Sequence, residues 1–177
     1  MKRFLSILLI VLLCLSGCSI GRDQFKDPVT FYYLRDYSDL DNRDAFFSEG
    51  ALGSELREAS GHRNDLNYLV SIYLQGPLDG NLHSPFPVGC RPMDIRQDDG
   101  ILYLVLSPAI TGLGEMELTV ACACLAKTCM ELVTVDAVQI EGSTPDGSAT
   151  VSRIFTADSL ILADSFSPPT ESTEEPQ

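Results

Sequence analysis

Two rhythms of apolar and polar positions run along this chain, one close to two residues and one close to 3.6. Residues 29–34 (VTFYYL) are β-branched and aromatic and predict a strand. Residues 51–60 (ALGSELREAS) alternate weakly; Leu52 and Leu56 also fit helical spacing, and a strand is the preferred reading. Leu66, Leu69, Val70 and Tyr73 then follow i, i+3, i+4, i+7, which gives a helix one apolar stripe. Asn64 or Asp65 can cap its start, and Gly76-Pro77 stops it. Gly, Asn and Pro make 78–87 a loop. Residues 90–97 and 101–107 predict a hairpin around Asp98-Asp99-Gly100. Its second arm (ILYLVL) is apolar throughout, so both of its faces are expected to be covered.

A second helix is predicted over 115–132, with Leu118, Cys122, Leu125, Cys129 and Leu132 on one stripe. Glu115 and Glu117 sit in its first turn, where the helix dipole favours negative charge. Residues 134–140 (TVDAVQI) predict a strand that ends at Glu141-Gly142, and 151–155 with 160–163 a final short hairpin. Strands on either side of helices, without a strict βαβα beat, imply an α+β domain: one mixed or antiparallel sheet with two helices packed on one face.

The two ends of the chain have other roles. Lys2 and Arg3 form a positive start, and residues 4–15 an apolar run too short for a comfortable membrane span. Leu15-Ser16-Gly17-Cys18 matches the bacterial lipobox, which implies cleavage after Gly17 and diacylglyceryl attachment to the Cys18 sulfur. Two acyl chains suffice for stable anchoring. The expected division is therefore a lipoprotein leader over 1–17, a tether over 18–28, a folded unit over 29–142, a C-terminal extension over 143–166 carrying the hairpin, and a Pro- and Glu-rich tail over 167–177 expected to be disordered. The expected location is lipid-anchored, on the extracytoplasmic face of the cytoplasmic membrane of a Gram-positive-type bacterium.

Charge narrows the partners. The chain carries a formal −13, and removal of residues 1–17, which hold Lys2 and Arg3 and no acid, leaves −15. A surface this acidic repels nucleic acid phosphates and anionic lipid headgroups, which excludes both as partners. The membrane connection is through the lipid alone.

Several stretches together resemble the GerM domain. They are Leu69–Pro77, a leucine-rich helix that ends in Gly-Pro, and Pro85-Phe86-Pro87-Val88-Gly89, a Pro-x-Gly lead-in to the next strand. Asp99-Gly100 followed by Val105-Leu106-Ser107, the closing run from Val133 to Ile140-Glu141-Gly142, and Leu52 to Arg57, with Glu55 and Arg57 in an L-x-x-E-x-R pattern, complete the set. The resemblance covers 29–142. It implies a non-enzymatic envelope lipoprotein of sporulation or spore germination, similar to ring-building folds, that acts as a structural or protein-docking module on other envelope or sporulation proteins. Self-association is left open. The alternative expectation is an extracytoplasmic module that binds a cell-wall fragment or small solute. The best-known member of the family carries two such domains in tandem, and this chain has room for one.

Candidate chemistry is sparse. Cys122, Cys124 and Cys129, with Cys90, resemble a metal spacing only loosely, and no histidine lies near them in sequence. On a helix Cys122 and Cys129 face the core and Cys124 points elsewhere; an exported location permits Cys90 to pair with any one of the three. His62 and His83 fall in predicted loops. Asp98-Asp99 reads as hairpin chemistry before it reads as a glycosidase acid pair. Gly112-x-Gly114 before a helix suits an anion, but Glu115 and Glu117 oppose one. Ser107 lacks a nucleophile-elbow context. Asp36, Asp39, Asp41 and Asp44 lack the Gly and terminal Glu of a calcium loop. No zinc-protease, phosphate-loop or dinucleotide pattern occurs. The expectation is accordingly no catalytic residue, no metal, no cofactor, and lipidation at Cys18 as the one chemical site.

Overall fold

The computed structural model of the chain describes residues 27–35 and 52–163. The leader with Gly17 and Cys18, the aspartates from Asp36 to Asp44 and the acidic tail lie outside the described residues. The described elements run β1 (Pro28–Arg35), β2 (Leu52–Glu58), α1 (Leu66–Tyr73), β3 (Leu82–His83), β4 (Pro92–Asp98), β5 (Ile101–Leu106), α2 (Glu115–Leu132), β6 (Ala137–Ser143) and β7 (Thr150–Thr156). Short 3-10 helices, Pro108–Gly112 and Ala157–Ala163, follow β5 and β7.

The α+β class is present, but the expected single sheet is two. One has the order β2-β1-β3, all antiparallel. The other has the order β4-β5-β6-β7, with β5 and β6 parallel and the outer pairs antiparallel. The split has a local cause. β3 is two residues long and pairs only with Leu34 and Arg35, so the rest of that edge of β1 is left to the helices. The Thr128 hydroxyl of α2 accepts the Tyr32 N–H at 3.0 Å, and the Tyr73 hydroxyl of α1 donates to the Tyr32 carbonyl at 3.0 Å. Side chains thus complete a backbone edge that a longer strand would otherwise pair.

α1 begins where Asp65 accepts the Tyr68 N–H at 3.1 Å and ends before Gly76, whose φ of +96° suits only glycine without strain. Its Tyr73 ring stacks on Tyr33 at 4.7 Å and meets Phe31 and Phe86 edge-on at 5.7 and 6.2 Å. α2 touches β1 of the first sheet and β6 and β7 of the second. It is therefore buried on two faces. Cys124, expected to point away from the core, is fully buried like Cys122 and Cys129.

The second sheet presents Leu102, Leu104, Leu106, Val138 and Ile140 inward, all at most 1% exposed. Each such side chain contributes about 1.5–3 kcal/mol relative to exposure. Ile101, Tyr103 and Val105 of the same strand are only half-buried, so β5 is fully covered on one face rather than two among the described residues. Arg96 lies over the Tyr103 ring at 4.2 Å on that outer face. The predicted turn is present, with Asp99 at φ 44° and Gly100 at φ 78°.

Three sequence expectations shift. The strand expected over 134–140 lies at Ala137–Ser143 and continues through Gly142. There a Cβ would stand 2.3 Å from Ile110 Cγ2, so the glycine marks close packing rather than a strand end. The hairpin expected from 151–155 and 160–163 is replaced by β7, which pairs along β6, and by a 3-10 helix. The loop expected over 78–87 contains β3.

Candidate functional site

Among the described residues, a polar arrangement that ties three segments together begins on β2. Glu55 and Arg57 lie two apart, hence on one side of the strand, the side that faces the Gly76–Asp79 turn. Arg57 Nε donates to Glu55 Oε1, and Arg57 Nη2 donates to the Gly76 carbonyl at 2.6 Å. Glu55 Oε2 accepts the N–H groups of Leu78 and Asp79, each at 2.7 Å. The two side chains are only 9% and 13% exposed, and the Arg57 guanidinium also lies 5.9 Å over the Phe31 ring. This pair holds the helix stop and the turn after it against the strand. Both segments stand out in the sequence, but nothing local to either shows that they meet.

The other motif residues are also scaffold. Ser107 is buried; its backbone N–H donates to Arg91 O at 2.9 Å, and its hydroxyl accepts Arg91 N–H at 3.2 Å. It pins the end of β5 to the lead-in of β4. Gly112 and Gly114 frame no open anion site, because Glu117 Oε2 accepts the Gly114 N–H at 3.1 Å and places the chain's own carboxylate at the α2 N-terminus. His62 is exposed, 3.8 Å from Asp65 and stacked on Tyr68. His83 is exposed on β3. Asp98 closes β4, and Asp99 is a turn residue.

Cys90, Cys122, Cys124 and Cys129 are all free thiols and all buried. Burial pushes Cys122, Cys124 and Cys129 up to about 12 and raises Cys90 too, where hydrogen bonds from Ser107 and Arg91 oppose it. Among the described residues, no three His, Cys, Asp or Glu side chains are grouped to hold a metal. A thiol whose folded pKa lies above its unfolded value of 9.0 favours the folded state fully at low pH. That contribution declines as pH rises from 9 towards 12. Two results are therefore expected: denaturation midpoints fall above pH 9, and at pH 8 an aromatic disulfide reagent labels these four positions slowly until denaturant is added. Rapid native labelling would contradict the burial.

Two open grooves flank these elements. One, of about 310 Å³, is lined by residues that include Leu34, His83, Phe86, Leu113, Glu117 and Val120. The other, of about 550 Å³, runs between β2 and α1 beside the Glu55–Arg57 pair. No helix among the described residues is long and apolar enough to cross a membrane.

No family model and no curated protein matches the sequence. Among solved structures, the tandem GerMN domains of the sporulation protein GerM from Bacillus subtilis align with a TM-score of 0.49 and 18% identity. That alignment covers 77% of this chain and 48% of the other, so this chain spans about half the length of the one it matches.

Proposed function

We propose that this chain is a non-enzymatic envelope lipoprotein, anchored through Cys18, whose folded domain serves as a structural or protein-docking module in sporulation or spore germination. One observation carries the reading. The residues that resemble GerM signatures serve the scaffold: Glu55 and Arg57 clamp the Gly76–Asp79 turn, Ser107 pins two strands, and Gly142 admits Ile110. They fall in two places, the Gly76–Asp79 turn and the end of β5 and β6 where Ser107 and Gly142 adjoin, and in each they hold backbone to backbone. Such a fold presents surfaces, and its strong negative charge selects positively charged ones.

A second reading is a module that binds a cell-wall fragment or small solute. The groove at Phe86 and His83 favours it, since about 310 Å³ is at the lower end of ligand clefts of roughly 300–1,000 Å³.

In-cell crosslinking of the tagged chain, with and without Cys18→Ala, tests the two readings. Docking predicts reproducible capture of defined envelope proteins, lost when the Cys18→Ala chain leaves the membrane. Absence of capture, together with binding of cell-wall fragments to the purified protein, would replace docking by the second reading.

A further inference from the structure

Among the described residues β2 and β4 are both edge strands, and the two edges differ. β4 starts at Pro92, carries an irregularity between Pro92 and Asp94, and places Asp94, Arg96 and Asp98 along its length. Proline, bulges and charge are the usual means of keeping an edge strand from pairing. β2 has none of the first two, and two of its charges, Glu55 and Arg57, are already bound to each other and to the turn.

The register fixes which backbone groups of β2 are offered. Tyr32 directs its N–H to Thr128, away from β2, so its partner Ser54 also turns its backbone away from β1. The same parity holds for Leu52, Leu56 and Glu58. The Leu52 carbonyl is closed by Arg35 Nε at 3.1 Å. Among the described residues, no strand pairs with the groups of Ser54, Leu56 and Glu58.

The surface beside this edge is apolar within an acidic rim. Leu56 is 56% exposed and Leu78 80% exposed, and both line the groove of about 550 Å³ with Tyr68 and Ile72 of α1. With Glu55 and Arg57 mutually neutralised, Glu58 and Asp79 leave the groove negative, on a chain of formal charge −13. A second copy of so acidic a chain would bring like charges together.

We infer that the β2 edge and its groove receive an extended, lysine- or arginine-bearing segment of a partner polypeptide, added as a fourth strand beside β2. Backbone groups of the segment pair with Ser54, Leu56 and Glu58. Alternate side chains enter the groove over Leu56, Ile72 and Leu78, and its cations meet Glu58 and Asp79. Strand addition of this kind takes affinity from main-chain hydrogen bonds and selectivity from the side-chain pockets. The inference rests on the docking reading above and names its surface.

The test uses the full chain with two synthetic peptides, one alternating valine and lysine and one alternating valine and glutamate. The readout is amide hydrogen exchange by NMR. The lysine peptide is expected to slow exchange at Ser54, Leu56 and Glu58 and to weaken about tenfold between 50 and 200 mM salt; the glutamate peptide is expected to leave these amides unchanged. Leu56→Lys, at an exposed position, and Ser54→Pro, which removes one outward N–H, should each weaken the lysine peptide at least tenfold while the thermal midpoint stays within a few degrees. Absence of protection, equal binding by both variants, protection at β4 instead, or concentration-dependent protection without peptide would each overturn the inference. Capture of a partner in cells that survives Leu56→Lys and Ser54→Pro would overturn it too, and would leave the docking reading standing. Absence of any capture by the unmodified chain would remove that reading itself.

Discussion

Replacing Glu55 by alanine is expected to destabilise the folded chain by about 3–5 kcal/mol, a large effect for a residue outside the main apolar core. The reason is the charge it leaves behind. Arg57 is 13% exposed and lies against Phe31, so without Glu55 its guanidinium retains only the Gly76 carbonyl as a partner. The released N–H groups of Leu78 and Asp79 matter less, because both bonds are exposed and water replaces them. Glu55→Gln keeps an acceptor without the charge and is expected to cost less than the alanine change. Glu55→Ala combined with Arg57→Ala is expected to cost less than the sum of the two, with a coupling of roughly 0.5–3 kcal/mol. Urea denaturation of the four chains measures all of this. A Glu55→Ala loss under about 1 kcal/mol would place the pair among ordinary surface ion pairs.

Tyr73→Ala is expected to have a comparable or larger effect. The side chain is completely buried, and its ring contacts three other aromatic rings. Truncation of a large core aromatic costs about 3–5 kcal/mol, a substantial part of the ~5–15 kcal/mol that holds a typical domain together. Its hydroxyl adds a separate contribution, since it donates to the Tyr32 carbonyl on the edge of β1 that the helices complete. Tyr73→Phe isolates that contribution, at about 1–3 kcal/mol, because the hydroxyl bond to the carbonyl is then lost. A Phe variant as stable as the parent would show that water reaches Tyr32.

The parts of the fold that were legible in the sequence have local causes. α2 was read at its observed bounds, because its stripe is long and its first turn is acidic. The start of α1, expected at Asn64 or Asp65 and found at Asp65, and the turn at Asp99-Gly100 follow from single side chains and single φ angles. What was not legible depends on contacts far along the chain. Cys124 read as an outward position because a one-stripe helix has one buried face, and nothing in 115–132 reveals a sheet on each side. β6 was placed too early because the inward row is Val138, Ile140, Gly142, and a glycine gives no apolar signal where Ile110 packs closest. β3 is too short to show a period. The contacts that the candidate residues make are the least legible of all. Glu55 and Arg57 read as part of a family resemblance, while their work is done on a turn some twenty residues later.

The edge of β1 that Thr128 completes also sets an order of events in time. β1, β2, α1 and β3 all precede residue 84, yet the Tyr32 N–H finds its partner 96 positions along the chain. As the chain emerges amino-terminus first, every strand of the first sheet is out before α2 is, and until then that edge lacks Thr128. Closing so long a loop is entropically slow and must wait for α2. The amino-terminal sheet is therefore the first part of this protein that can form and among the last that can be finished, and in that interval it is the part most in need of protection from other strands.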